Sequence, residues 1–344
     1  MPDRLKLAII GAGSIAQAYA KVLEQSGEVT LAAVVDVRPE AVAALAEAYD
    51  CARHLSHREL IAAGEIDAAI VCTPPVSHPE ICIDLLEAGI AVLCEKPLSI
   101  ERESALRMIE TAERKRVTFT MASKFRYASD VVKAKSIVES GILGEIVLFE
   151  NAFTSRVDMS DRWNSRPEIS GGGVLIDNGT HSVDIMRYFL GPLESVHVVE
   201  GRRSQGLAVE ETVRIFVRSR AGVLGNIDLS WSINKELDSY LNIYGSLGAV
   251  SVGWRRSRYR QASSADWVEF GTGYDKLQAF SDQVGNFVRA VRGEESLWIT
   301  AEDALASVEV IEAAYADLNR THWRQIAPSL SQRPAVARSR RGAA

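Results

Sequence analysis

Short, uninterrupted apolar runs alternate with stretches of helical periodicity over the first third of the chain. Leu5–Ile10, Val29–Val35, Ala68–Cys72 and Ile90–Leu93 lack in/out alternation, as strands buried on both faces do. Between them, Ser14–Ser26, Arg38–Tyr49, His78–Ala88 and Ser99–Arg114 carry apolar residues at helical spacing. Strands alternating with helices fold through right-handed crossovers into a parallel sheet covered by helices. Residues 1–122 are therefore expected to form a doubly wound α/β domain.

The pattern then changes. Glu145–Phe153, Ser195–Glu200, Thr212–Val217, Gly222–Ile233 and Leu241–Tyr244 read as strands. Several alternate, with Val213, Ile215 and Val217 facing one way and Arg214, Phe216 and Arg218 the other. Successive strands joined by turns predict a mostly antiparallel sheet. Helical stretches are expected near 174–190 and 276–292 and over Ala301–Asn319, so 123–330 is read as a second α/β domain. Residues 331–344, rich in Arg, Ser and Ala, read as a loose tail.

Composition removes several classes of function. The 344 residues carry 39 Lys plus Arg against 45 Asp plus Glu, a net charge of −6. Such a chain has no bulk attraction for nucleic acid or an anionic membrane. No apolar run reaches the ~18 residues of a membrane span, and the N-terminal apolar stretch is too short for a secretory signal. A cytoplasmic protein is expected. Cys51, Cys72, Cys82 and Cys94 show no paired spacing for zinc or dithiol chemistry and are expected as reduced thiols. His54 and His57 lack partners at ligand spacing, so no metal is expected.

The first strand runs into Gly11-Ala12-Gly13-Ser14-Ile15-Ala16, where a helix begins. Gly11 permits a tight turn, Gly13 lets backbone approach a pyrophosphate, and Ala16 lets helix and strand pack closely. The N–H groups of the helix start, including those of Ser14 and Ile15, face the phosphates. The second strand ends at Asp36, placed to accept hydrogen bonds from ribose hydroxyls. A 2′-phosphate would meet that negative charge, so NAD is favoured over NADP, although Arg38 offers a phosphate partner. Thr73-Pro74-Pro75 fixes a loop at the carboxyl edge of the sheet, where ligands bind in such folds. Thr73 is a candidate for the nicotinamide ribose. His78 is either part of that site or a solvent-facing residue at a helix start. Glu95-Lys96-Pro97 follows the strand at 90–93, which makes Lys96 the first suspect for proton transfer.

In the second domain, Gly171-Gly172-Gly173 precedes Asp177 and His181. The glycines imply a flexible loop or backbone closely approached by a ligand. Asp177 and His181 share one face of a helix. They form either a surface pair or a carboxylate orienting a general base. Asp184 continues that face as a partner for Arg187.

These motifs, in this order over about residues 5–325, resemble the Gfo/Idh/MocA oxidoreductases, relatives of glucose–fructose oxidoreductase and inositol dehydrogenase. The resemblance implies a Rossmann domain and a C-terminal α/β domain whose large open-faced sheet forms a homodimer or homotetramer. It implies NAD binding by Gly11, Gly13, Ser14, Ile15, Asp36, Arg38, Thr73, Pro74, His78, Glu95 and Lys96. It further implies that Lys96, Asp177 and His181 relay the proton while hydride passes between a secondary carbinol and nicotinamide. Arg126, at the domain junction, is the expected substrate contact, or else an interdomain salt bridge. Trp163 would close over a sugar ring or the nicotinamide, or lie in the core. Asn178 offers a donor and an acceptor to vicinal hydroxyls. The expected substrate is a sugar, amino sugar or cyclitol. The alternatives are a dehydrogenase of a nucleotide-sugar or aminoglycoside pathway, which Arg156, Arg162 and Arg166 would suit, and a redox-neutral enzyme that uses NAD to cleave glycosides. A different class is an NAD-binding regulator without catalysis, against which the retained Lys96, Asp177 and His181 argue.

Overall fold

The computed structural model describes residues 4–320. The expected tail, 331–344, lies outside the described residues. The first sheet contains β1 (Leu5–Ile10), β2 (Val29–Val35), β3 (Ala52–His54), β4 (Ala68–Val71), β5 (Ala91–Glu95) and β6 (Phe119–Ala122). Its order is β3-β2-β1-β4-β5-β6 and all neighbours are parallel. Strand order reverses between β1 and β4, opening the crevice where ligands bind in such sheets. Helices α1 (Ser14–Gln25), α2 (Pro39–Ala48), α3 (His57–Ala63), α4 (His78–Glu87) and α5 (Arg102–Lys115) make the connections. The sequence pattern missed β3, α3 and β6. β3 has only three residues, none buried, and so carries no apolar signature.

The second sheet follows α6 (Ser129–Glu139) and begins with β7 (Ile146–Thr154). The short α7 (Pro167–Ser170) and the long α8 (Val174–Leu190) come next. The remaining strands are β8 (Leu193–Glu200), β9 (Thr212–Ser219), β10 (Leu224–Ser230), β11 (Ser239–Gly245), β12 (Gly248–Gly253), β13 (Ser257–Gln261) and β14 (Val268–Gly271). The order is β14-β13-β12-β11-β7-β10-β9-β8; β7 and β10 are parallel and the other neighbours antiparallel. Buried Val213, Ile215 and Val217 of β9 face the core beneath α8, as their alternation predicts. The opposite face is open and exposes Phe216, Leu224 and Tyr244.

Packing crosses the expected 122/123 boundary. Helix α9 (Lys276–Val291) buries Phe280, Val284, Phe287 and Val288 against Tyr19 of α1 in the core of the first domain. Helix α10 (Ala301–Leu318) gives Ala304 and Val308 to the other first-domain core, while its Ile311 and Ala314 enter the core of the second. One amphipathic helix thus bridges two domains, because its apolar positions extend over more than one face.

No helix among the described residues is long and apolar enough to cross a membrane. All four cysteines are unpaired.

Candidate active site

The glycine turn supplies an anion cradle. Gly11 has φ +97°, and a Cβ there would stand 2.9 Å from the Cys72 carbonyl, so the ends of β1 and β4 approach only with glycine. Nothing lies within 4 Å of a Cβ built on Gly13. Helix α1 has neither a side-chain cap nor an acid in its first turn, so its N–H groups are free for a pyrophosphate. Ala16 is fully buried where helix meets sheet. At the end of β2, Asp36 accepts from the Ala12 N–H at 2.7 Å and from the Arg38 guanidinium at 3.0 Å through both oxygens. Burial opposes its ionisation, but these bonds hold the carboxyl below the ordinary aspartate range. The donor set therefore fits a dinucleotide with a free 2′-hydroxyl, while Arg38 is already engaged.

A cavity of about 730 Å³ opens beyond this turn. Gly13, Ser14, Ile15, Thr73, Glu95 and Lys96 line it from the first domain, and Trp163, Asp177, Asn178 and His181 from the second. Lys96 Nζ donates to Asp177 Oδ1 at 2.6 Å and to the Asp177 carbonyl at 2.9 Å. Behind Lys96, the Glu95 carboxylate accepts from the Tyr19 hydroxyl at 2.8 Å and from the Lys96 N–H at 3.2 Å. Gln283 of α9 donates to that same hydroxyl at 2.7 Å. Burial pushes the Glu95 carboxyl up, and the nearby Lys96 and Lys124 oppose that rise.

His181 lies one helical turn after Asp177, with its ring edge-on to Phe125 at 5.1 Å between centroids. Its Nδ1 is buried without a partner. Burial, then the charges of Lys96 and Lys124, push the imidazole well below its usual range. It is therefore neutral near pH 7 and able to accept a proton. The structure thus brings Lys96, Asp177 and His181 to one cavity.

Other expected positions are placed differently. His78 is fully buried, neither in the cavity nor facing solvent. Its Nδ1 and Nε2 lie 2.9 Å from the Pro97 carbonyl and 2.8 Å from the Thr73 carbonyl, so it ties together the two loops that carry Thr73 and Lys96. Pro74 shapes the Thr73 loop without lining the cavity. Arg126 is 4% exposed and is no substrate contact in this arrangement. It pairs with Asp184 at 2.8 Å and Asp303 at 2.9 Å, joining the domain junction to α8 and α10. The partner of Asp184 is thus Arg126 rather than Arg187, which instead approaches Asp303 at 3.8 Å. The glycine run before α8 is approached by protein. A Cβ on Gly172 would strike the Tyr315 hydroxyl, and one on Gly173 the Glu210 carbonyl. Glu210 also caps α8, accepting from the N–H groups of Gly173 and Leu175. Trp163 is 40% exposed at the cavity rim rather than in the core.

Within Lys124-Phe125-Arg126-Tyr127, at the domain junction, the basic residue that lines the cavity is Lys124 and not the expected Arg126; Trp254, which the sequence did not mark, lines it too. Lys124 stands just past β6, a strand the pattern did not show, so the choice between Lys124 and Arg126 could not be made locally. Among the described residues, His57, Glu80 and Asp84 come close enough to hold an ion, but Arg58 already pairs with both carboxylates.

Residues 5–123 match the family model for the oxidoreductase family with an NAD-binding Rossmann fold. Residues 131–251 match the GFO/IDH/MocA C-terminal domain. The chain belongs to the Gfo/Idh/MocA oxidoreductase family. Members of this family of NAD-dependent dehydrogenases include similar proteins that align over nearly their full length. The rhizopine catabolism protein MocA of Rhizobium meliloti is 27% identical, with 92% of this chain and 96% of the relative aligned. Inositol 2-dehydrogenase of R. meliloti strain 1021 is 24% identical, over 90% and 96%. Among solved structures, GenD2 from gentamicin A biosynthesis, in complex with NAD, superposes with a TM-score of 0.81 at 25% identity, over 93% and 95% of the two chains. The chain is thus an oxidoreductase with an NAD-binding Rossmann domain.

Proposed function

We propose that this enzyme oxidises a ring secondary hydroxyl of a sugar, amino sugar or cyclitol, or reduces the matching ketone. The observation that carries the reading is the Lys96–Asp177 contact at 2.6 Å beside a neutral, partner-seeking His181 in one cavity. Bound NAD supplies the hydride acceptor. Gly13, Ser14 and Ile15 hold its phosphates, Asp36 its adenosine ribose, and Thr73 and Glu95 flank its reacting end. Lys96 donates a hydrogen bond to the substrate oxygen, and Asp177 keeps that ammonium oriented. His181 takes the hydroxyl proton during oxidation and returns it during reduction. Asn178 and Trp163 sort the remaining hydroxyls and the ring face.

The names of the relatives, an inositol 2-dehydrogenase and an enzyme of gentamicin A biosynthesis, support the polyol class. Exposed Arg162 at the cavity rim favours, as a second reading, a substrate carrying a further group of the kind found in aminoglycoside or nucleotide-sugar pathways. The open sheet face, with Phe216, Leu224 and Tyr244 exposed, supports a homodimer or homotetramer built through it.

The test is a panel of cyclitols, free sugars, amino sugars and aminoglycosides, read by NADH formation with NAD and with NADP. Turnover of one class with NAD supports the reading. Silence across the panel, with dinucleotide retained in the purified protein, sinks it in favour of a redox-neutral or sensing role.

A further inference from the structure

The cavity holds one ammonium that no acid among the described residues meets in a hydrogen bond or ion pair. Lys124 follows β6 and lines the cavity beside Glu95, Lys96 and Asp177. Its Nζ lies over two buried aromatic rings, 5.5 Å from the centroid of Phe125 and 5.4 Å from that of Phe280. Among the described residues it makes neither a hydrogen bond nor an ion pair. The two nearest acids are committed elsewhere: Glu95 to Tyr19 and the Lys96 N–H, and Asp177 to the Lys96 ammonium. Ring faces attract a cation, but they do not replace the solvation lost on burial. Loss of water accordingly lowers the ammonium to about 8.

Lys124 does not stand where the cofactor's phosphates bind. The glycine turn follows β1, three strands from β6 in the sheet order, which at ordinary strand spacing is about 14 Å. The anion it awaits therefore lies on the substrate side of Lys96. Lys276 shares the Phe280 ring at 5.7 Å but is exposed and does not line the cavity, and Arg162 stands exposed at its rim. Among the described residues, Lys124 is therefore the one unpaired cation set deeper in the lining, a match for the single charge of a carboxylate.

We propose that Lys124 is a specificity-determining residue that pairs with a carboxylate on the substrate, so that the preferred polyol is a sugar acid carrying its acid group near the oxidised carbinol. This rests on the oxidoreductase reading above. Phe125 and Phe280 hold the ammonium in place, and Lys96 remains free to act on the hydroxyl. The substrate's acid group then fixes which carbinol faces Lys96 and His181.

Calorimetry on the enzyme loaded with NADH, where no oxidation proceeds, tests this with matched pairs: D-glucuronate against D-glucose, and D-galacturonate against D-galactose. The wild type is expected to bind the acid of at least one pair about tenfold or more tightly than its neutral partner, as one charge-assisted contact implies. Lys124→Met should abolish that preference, and Lys124→Arg should keep part of it, while both variants retain NADH affinity. Equal binding within both pairs, no binding by either acid, or a preference that survives in Lys124→Met overturns the proposal. Should Lys124→Met fail to bind NADH, Lys124→Gln takes its place under the same criteria. Failure of the wild type to bind NADH, or to oxidise any polyol, acid or neutral, would instead strike the oxidoreductase reading. Turnover of neutral polyols with no acid preference would leave that reading intact.

Discussion

Lys96 and Asp177, separated by 81 residues and carried by different domains, meet through two hydrogen bonds from one ammonium, at 2.6 Å to the carboxylate and 2.9 Å to the carbonyl. The contact fixes Lys96 at the mouth of the sheet and spans the cavity between the two domains. On the proposed mechanism it leaves the third ammonium proton for the substrate oxygen. Holding a catalytic group in place before substrate arrives is a main source of rate acceleration.

Lys96→Ala is expected to lower kcat by roughly 100- to 10,000-fold, the usual range for loss of a proton-transfer group. NAD affinity, measured by fluorescence or calorimetry, should change by less than about threefold, because the phosphate cradle at Gly13–Ile15 is untouched. An unchanged turnover rate would refute the role given to Lys96.

His181 must be neutral to accept a proton, so oxidation falls away as pH drops through its pKa. Burial and the charges of Lys96 and Lys124 set that pKa well below 6.5. The acid limb of kcat/KM should therefore lie below pH 6.5. Lys124→Met removes one of the two cations and should move the limb towards higher pH, with Lys96 still opposing. A limb that stays in place in this variant, or one at or above 6.5 in the wild type, contradicts the assignment.

Asp36 occupies the Arg38 guanidinium and is expected to set cofactor choice by doing so. In Asp36→Ala the guanidinium, 62% exposed at its side chain, is released to meet a 2′-phosphate. The ratio of kcat/KM for NAD over NADP should fall by about tenfold or more, as loss of charge-assisted hydrogen bonds implies. Steady-state kinetics with both cofactors decide it; an unaltered ratio means that discrimination lies elsewhere.

The buried Arg126 group is expected to matter for stability and not for substrate affinity. Arg126→Met leaves Asp184, fully buried, without its counter-charge and should cost about 3–5 kcal/mol in denaturant unfolding. Replacing the partner as well, in Arg126→Met/Asp184→Leu, should recover much of that loss, because the buried carboxylate is then gone. A selective rise in KM with stability unchanged would return Arg126 to the substrate site.

The nucleotide-binding half was legible because its signals are local. β1, the Gly11–Ala16 turn, α1 and Asp36 follow from apolar runs and from the backbone freedom that glycine confers, within 32 consecutive residues. β13, Ser257–Gln261, was missed because, although it lies between β12 and β14, four of its five residues are Ser, Arg or Gln and leave no apolar alternation to read. Asp177 and His181 could be placed on one helical face, since a periodicity of 3.6 sets that much. Whether they faced solvent or Lys96 depended on sheet order and on the docking of α8, which no local pattern encodes. The same holds for the other assignments that changed. His78 became a buried tie, Arg126 an interdomain pair, and the three glycines a seat for Tyr315 and Glu210. Lys124 acquired meaning only when β6 closed the sheet beside β5 and Phe280 of α9 came to lie beneath its ammonium. The sequence alone determined the elements and the residue types able to do the chemistry. Tertiary structure decided their partners, because burial and distance between residues far apart in the chain are properties of the packed whole.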